Sequence, residues 1–275
     1  MHKKRDQFFA LISERLAIMG ILNVTPDSFS DGGKFQSHDA AVAHARKLAA
    51  EGADIIDVGA ESTRPGHVPV PVAEELARLK PVLADIVKAT PLPVSIDTSK
   101  AAVARAAIAD GVAVINDVWG LQRDPEMADV VAEGGAAAVV MHNRESVDPE
   151  LDILSDMRRF FDHSLVLAEK AGIPRHRLIL DPGIGFGKTK DQNVIALREL
   201  DRLKDYGLPL LVGVSRKSLF GPILGAGVDE RLIGTIATNI IAATRGASIF
   251  RVHDVAEHVA AFKVFDAIAR NPGSP

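Results

Sequence analysis

Residues 93–117 read PVSIDTSKAAVARAAIADGVAVIND. An apolar run over Pro93–Asp97 leads into an alanine-rich helical stretch over Lys100–Ala109, and a second apolar run follows over Ala113–Asp117. Two short strands joined by a helix form a crossover, which makes the strands parallel. Both runs end on groups that bond or carry charge: Asp97 in the first, Asn116 and Asp117 in the second. Side chains two apart on a strand share a face, so Ser95 and Asp97 point the same way.

The alternation continues in both directions. Strands are expected over Leu16–Asn23, Ala53–Val58, Ala136–Met141, Leu178–Asp181, Pro209–Val214 and Ala247–Val252 as well. Helices are expected over His38–Glu51, Val72–Ala89, Pro125–Glu133, Leu151–Lys170, Asp191–Lys204, Glu230–Thr244 and Val255–Ala269. The helical stretches carry apolar residues at three- and four-residue spacing, such as Val42, Ala45, Leu48 and Ala49. Eight strands each followed by a helix predict a (β/α)8 TIM barrel with a parallel sheet. An open doubly wound sheet is the alternative, but no dinucleotide fingerprint is present. No linker divides the chain, so residues 1–275 are expected to form a single domain, with Pro272–Pro275 as a loose tail. Thr25–Ser37 and Glu61–Pro71 are two long βα loops rich in Gly, Pro, Asp and Ser, expected to be the mobile parts at the mouth.

Composition narrows the function. The 275 residues are 47% hydrophobic and 25% charged, enough apolar material for a core and too little charge excess for disorder. A net charge of −4 argues against general nucleic-acid or anionic-membrane binding, which calls for a basic surface. The absence of cysteine excludes disulfides, thiol nucleophiles, iron–sulfur clusters and Cys-ligated zinc. No apolar run reaches a membrane span of about 18 residues, and Glu14 and Arg15 interrupt the apolar start after Phe8. A cytoplasmic location is expected.

The strand ends carry the chemistry. In order they are Asn23, Asp57, Asp97, Asn116 with Asp117, His142 with Asn143, Asp181, Ser215 with Lys217, and Arg251 with His253. In a barrel these ends face one mouth, where active sites of this architecture lie. Asn23 offers a neutral oxygen to a hard cation such as Mg2+. Asp97 is suited to accept two N–H bonds from an aminopyrimidine-type ring. Arg64, held extended before Pro65, can reach over the mouth, and with Lys217, Arg251 and His253 it makes a cationic cluster suited to an anion. The glycines of Asp181-Pro-Gly-Ile-Gly-Phe-Gly-Lys188 fit neither a phosphate loop nor a dinucleotide motif, and instead allow a tight turn that presents Phe186.

Seven segments in this order, NVTPDSFSDGG, ESTRPG, SIDTSK, INDV, DPGIGFGK, SRKS and RVHDV, closely resemble dihydropteroate synthases over Asn23 to His253. The resemblance implies that a dihydropterin pyrophosphate is condensed with p-aminobenzoate by an SN1-like path. It implies that Asn23 helps hold Mg2+ and pyrophosphate, and that Arg251, His253 and Arg64 bind the same anion. It places Asp97, Asn116, Asp181 and Lys217 on the pterin ring, with Met141 beneath it and Gly213 in the same set. Thr63, Pro65, Phe186 and Ser218 are implied as the p-aminobenzoate subsite.

Three positions depart from the family's usual pattern: Ala60 before the Glu-Ser-Thr-Arg run, Trp119 after Asn116-Asp117-Val118, and Asn143 after Met141-His142. They bear on fine substrate fit. Two rival functions share part of the pattern, a pterin-binding methyltransferase barrel and an inactive pterin-binding paralogue. The intact loop motifs and RVHDV speak against both. Finally, Arg231–Thr244 and Val255–Ala269 carry more apolar surface than one stripe toward a barrel needs, which predicts a homodimer packed through the last two helices. On that reading Thr235, Thr238, Asn239 and Thr244 make up the first helix's polar side.

Overall fold

The computed structural model describes residues 2–24, 34–61, 70–225, 227 and 230–269. Eight parallel strands close into a barrel in sequence order. They are β1 Ala17–Asn23, β2 Ile55–Gly59, β3 Val94–Asp97, β4 Val114–Asp117, β5 Ala137–Met141, β6 Leu178–Asp181, β7 Leu210–Val212 and β8 Ala247–Val252. Every expected strand is present. Parallel barrel strands are covered on both sides, so they read as nearly continuous apolar runs, and alternation decides what each residue meets. Met19, Ile55, Val114, Val139, Ile179, Leu211 and Ile249 point inward and pack together in the lower barrel. Leu22, Ile56, Ile96, Ile115, Val140, Leu180, Val212 and Phe250 belong to the larger core between strands and helices.

The outer layer is α2 Lys34–Glu51, α3 Val72–Leu79, α4 Leu83–Ala89, α5 Ala101–Ala109, α6 Met127–Gly134, α7 Ile153–Ala171, α8 Lys190–Arg198, α9 Phe220–Leu224, α10 Leu232–Thr244 and α11 Val255–Ala269. Helix α1, His2–Glu14, precedes the barrel and lends Phe8 and Ile12 to the inward-facing cluster of the lower barrel. Sequence reading did not anticipate it as a helix. Arg5 of α1 is buried, paired with Asp6 and bonded to the Gly135 carbonyl.

Three helical expectations need correction. Val72–Ala89 is two helices, broken around Pro81, whose ring removes a backbone donor. Asp191–Lys204 is α8 followed by a 3-10 helix over Leu200–Tyr206. On α10 the polar residues Thr235 and Asn239 are the buried ones, with Ala242, whereas Ile233 and Ile241 are 76% and 55% exposed. Thr235 faces inward because its hydroxyl accepts from the Arg216 backbone N–H, which supports the turn after β7. Most of both long loops, with Thr63, Arg64 and Pro65, and the tail Pro272–Pro275 lie outside the described residues. Among the described residues no helix is long and apolar enough to cross a membrane.

Candidate active site

The alternation that fills the lower barrel with apolar side chains continues upward with polar ones. Following Met19, Ile55, Val114, Val139, Ile179, Leu211 and Ile249 by steps of two gives Asn23, Asp57, Asn116, Met141, Asp181, Gly213, Arg251 and His253. Register aligns them across strands: Asn23 beside Gly59, Gly59 beside Asp97, Asp97 beside Asn116, and Met141 beside Asp181. The two glycines leave room. A Cβ on Gly59 would lie 3.6 Å from Asn23 Oδ1, and one on Gly213 3.9 Å from Asp181 Oδ2.

Arg251 organises the centre. Its Nε donates to Asp57 Oδ2 at 2.6 Å and its Nη2 to Asp97 Oδ2 at 2.9 Å. Asn116 Nδ2 donates to the same Asp57 oxygen at 3.1 Å. The second oxygens of both carboxylates, with Ser95 Oγ, are buried and have no partner among the described residues. Buried acceptors of this kind call for donors from a bound molecule. Burial pushes the Asp97 carboxyl up to about 7, against the pull of Arg251 and with the added repulsion of Asp57. The two carboxylates in turn outweigh the cost of burying Arg251 and hold its pKa above the usual arginine value.

The loop after β6 forms the next wall. Asp181 Oδ1 accepts from Gly183 N at 2.7 Å. Gly183 has φ +65°, and a Cβ there would overlap the His142 carbonyl, so the turn admits only glycine. Buried Lys188 holds the turn together by donating to the carbonyls of Gly183 at 2.8 Å and Phe186 at 3.1 Å. Burial lowers its pKa to about 7. Phe186 meets Lys217, whose Nζ lies 4.6 Å from the ring centroid and donates to the Ile184 carbonyl. Burial lowers the Lys217 pKa to about 8, with Asp181 opposing, while burial raises Asp181.

The turn after β7 is braced from below. Arg216 takes a left-handed φ of 55° and is paired with Asp254 through two guanidinium nitrogens. Ser215 Oγ accepts from His253 N at 3.1 Å and is bonded to His253 Nδ1 at 2.9 Å, which orients the ring. Ser218 is exposed at the rim.

Three strand-end groups expected at the mouth turn away from it. Both Asp117 oxygens accept backbone N–H groups of their own turn, from Trp119 and Leu121. His142 is fully buried, bonded to Asp156 and edge-on to Phe160, and Asn143 donates to the Val118 carbonyl. Asp57 and Ser215, named from sequence as strand-end groups without a role, take one here: Asp57 pairs with Arg251 and Ser215 orients His253. Lys188 has a backbone-bonding role for which there is no sequence signal.

Residues 19–253 match the family described as pterin binding enzymes. The chain is 48% identical over 263 residues to the dihydropteroate synthase of Clostridium beijerinckii, covering 94% of this chain and 96% of that protein. The chain belongs to the dihydropteroate synthase family. Its fold superposes on the Clostridium difficile dihydropteroate synthase crystallised with pteroic acid, with TM-score 0.91 and 47% identity over 94% of this chain and 98% of that one. It also superposes on the Xanthomonas albilineans enzyme with 4-aminobenzoic acid, with TM-score 0.90 and 46% identity over 94% and 95%. The family match thus runs from Met19, low in the barrel, to His253 at its mouth.

Proposed function

We propose that this chain condenses 6-hydroxymethyl-7,8-dihydropterin pyrophosphate with p-aminobenzoate, giving 7,8-dihydropteroate and pyrophosphate. The observation that carries this is the mouth itself: two buried carboxylates bridged by Arg251, each with an oxygen that has no partner among the described residues. A pterin's amino and ring N–H groups supply the donors those oxygens lack. Asp97, Asn116 and Asp181 read the ring edge, Lys217 meets its carbonyl and nitrogen acceptors, and Met141 and Gly213 shape the space beside it.

Asn23 offers an oxygen left uncovered by Gly59, and among the described residues no group of three His, Asp or Glu side chains could hold a metal ion by itself. One neutral oxygen donor fits a magnesium ion held mainly by the ligand's phosphates. When bound, that ion supplies charge neutralisation to the leaving pyrophosphate. The residues do the rest. His253 and the one guanidinium nitrogen of Arg251 not committed to Asp57 or Asp97 face the anion, with Arg64. The bond from the exocyclic carbon to oxygen breaks with its electron pair leaving on pyrophosphate. The arylamine lone pair forms the new C–N bond and its proton passes to solvent. Phe186, braced by Lys188 and Lys217, forms the amine subsite with Thr63, Pro65 and Ser218, and excludes water from the electron-poor carbon.

The test is pyrophosphate release by the purified protein. It is expected only when the pterin pyrophosphate, p-aminobenzoate and magnesium are all present. Release without the amine, or none under any condition, would overturn the assignment.

The chain is further proposed to act as a single domain in the cytoplasm and as a homodimer through α10 and α11. Ile233, Ile241, Val264 and Ile268 on these helices are the support for the dimer: all four are exposed large apolar side chains, on adjacent packed helices.

A further inference from the structure

A cavity of about 880 Å3 lies apart from the barrel mouth, between the segments after β4 and β5 and the first turns of α7. None of the mouth residues named above lines it. Trp119 and Asn143 both do. Trp119 is also the only tryptophan of the chain.

The backbone is built to present that ring. Asp117 takes the N–H of Trp119 at 2.9 Å and of Leu121 at 2.7 Å, which winds the turn tightly. Gly120 and Leu121 are both left-handed, with φ 58° and 67°. A left-handed leucine is strained, and such strain persists only where surrounding contacts enforce it. Here the bond from Leu121 N to Asp117 holds it, and at Gly120 a Cβ would lie 2.6 Å from the Phe160 ring, itself a wall of the cavity. Arg123 then lies over Trp119, its Cζ 4.6 Å from the ring centroid, so indole and guanidinium stack as one platform.

The opposite wall is cationic. Arg144 and Arg159 meet at Asp156, which His142 also bonds, so this buried carboxylate is fully compensated. Arg123 and His163 form no ion pair with a described carboxylate. Facing the cavity, then, are an aromatic platform, three arginines and a histidine, against two acids, exposed Glu145 and the buried Asp156 that Arg144 and Arg159 share.

We propose that this cavity is a second ligand site, taking a planar aromatic ring that carries phosphate, the chemistry of a nucleotide. The ring stacks on Trp119 and Arg123, and the phosphates reach Arg144, Arg159 and His163, where planar guanidinium groups donate in pairs.

Adenosine triphosphate is the probe, followed by Trp119 emission and by calorimetry. Saturable quenching at micromolar concentration is expected, with adenosine alone and tripolyphosphate alone each binding at least tenfold more weakly. A saturating pterin analogue with pyrophosphate should not displace the probe. Arg123→Ala with His163→Ala, both surface changes, should weaken binding at least tenfold while leaving pyrophosphate release unchanged. Trp119→Ala should do the same by calorimetry. Displacement by the pterin analogue, equal binding of tripolyphosphate alone, or full affinity in the Arg123/His163 double variant would each overturn the site. None of these outcomes depends on the synthase reaction.

Discussion

At the scale of single residues the site turns on one guanidinium shared by two buried acids. Asp97 titrates near 7 in the folded chain, far above an ordinary carboxyl. A raised acid pKa means that its contribution to stability is present below the unfolded value and is lost as pH rises through about 7. A pterin that donates to the ionised carboxylate reverses that preference. Pterin-analogue affinity should therefore fall about tenfold per unit as pH drops below about 7, with proton release on binding at pH 6. Calorimetry in buffers of different ionisation enthalpy measures both. Asp97→Asn should remove the pH dependence and weaken binding by about 1–3 kcal/mol, because the amide turns a donor toward a ring N–H. Unchanged affinity in that variant would end the pterin-reading role of Asp97.

Arg251 carries a second consequence. Removing it leaves Asp57 and Asp97 buried without their cation, so Arg251→Ala should cost about 3 kcal/mol of stability as well as turnover. The loss should be larger at pH 8 than at pH 5, where the Asp97 carboxyl, raised by burial to about 7, is protonated. Urea unfolding at the two pH values checks this, and equal losses would mean that the acids do not depend on Arg251. Sequence reading placed Arg251 on the anion alone. It could not see the ion pairs, which span 194 and 154 positions of chain.

At the scale of elements, what was legible followed from periodicity. Strand alternation put Ser95 with Asp97 and Arg251 with His253 on one side each, and the structure keeps both pairs together at the mouth. A strand end by itself does not say which side a residue faces. Asp117 and His142 each lie one residue past inward Asn116 and Met141, so alternation sends them outward, where they bond to Trp119, Leu121 and Asp156. Nor does an apolar stripe say what it packs against. Phe8 and Ile12 read as an ordinary apolar start, whereas they join the inward-facing core of the lower barrel. Phe8 is 2% exposed, and Phe8→Ala should destabilise by about 3–5 kcal/mol through lost burial and a cavity. The Asp97-dependent binding of a pterin analogue should survive in the molecules that remain folded. A midpoint unchanged in urea would show that α1 is dispensable to the barrel.

At the scale of the whole molecule, the outer surface is not evenly polar. Ile223, Leu224, Ile233, Ile241, Val264 and Ile268 are large apolar side chains left exposed, and all belong to α9, α10 and α11. A monomer seldom leaves such a concentration uncovered, and a two-fold pairing covers it with a second copy of itself. The inversion of α10 strengthens this reading: Thr235 and Asn239 serve the interior, and Ile233 and Ile241 are left facing outward. It also decides which substitution is informative. Ile240 is half-buried against the barrel core, so a charge there confounds folding with assembly. Ile233 and Ile241 are the cleaner positions. Ile233→Glu with Ile241→Glu should give a monomer at micromolar concentration by sedimentation equilibrium, with little change in the urea midpoint of the isolated barrel. Val147→Glu, an exposed apolar position away from these helices, should leave the dimer intact. A wild-type protein that sediments as a monomer would remove the interface, and so would a double variant that remains dimeric.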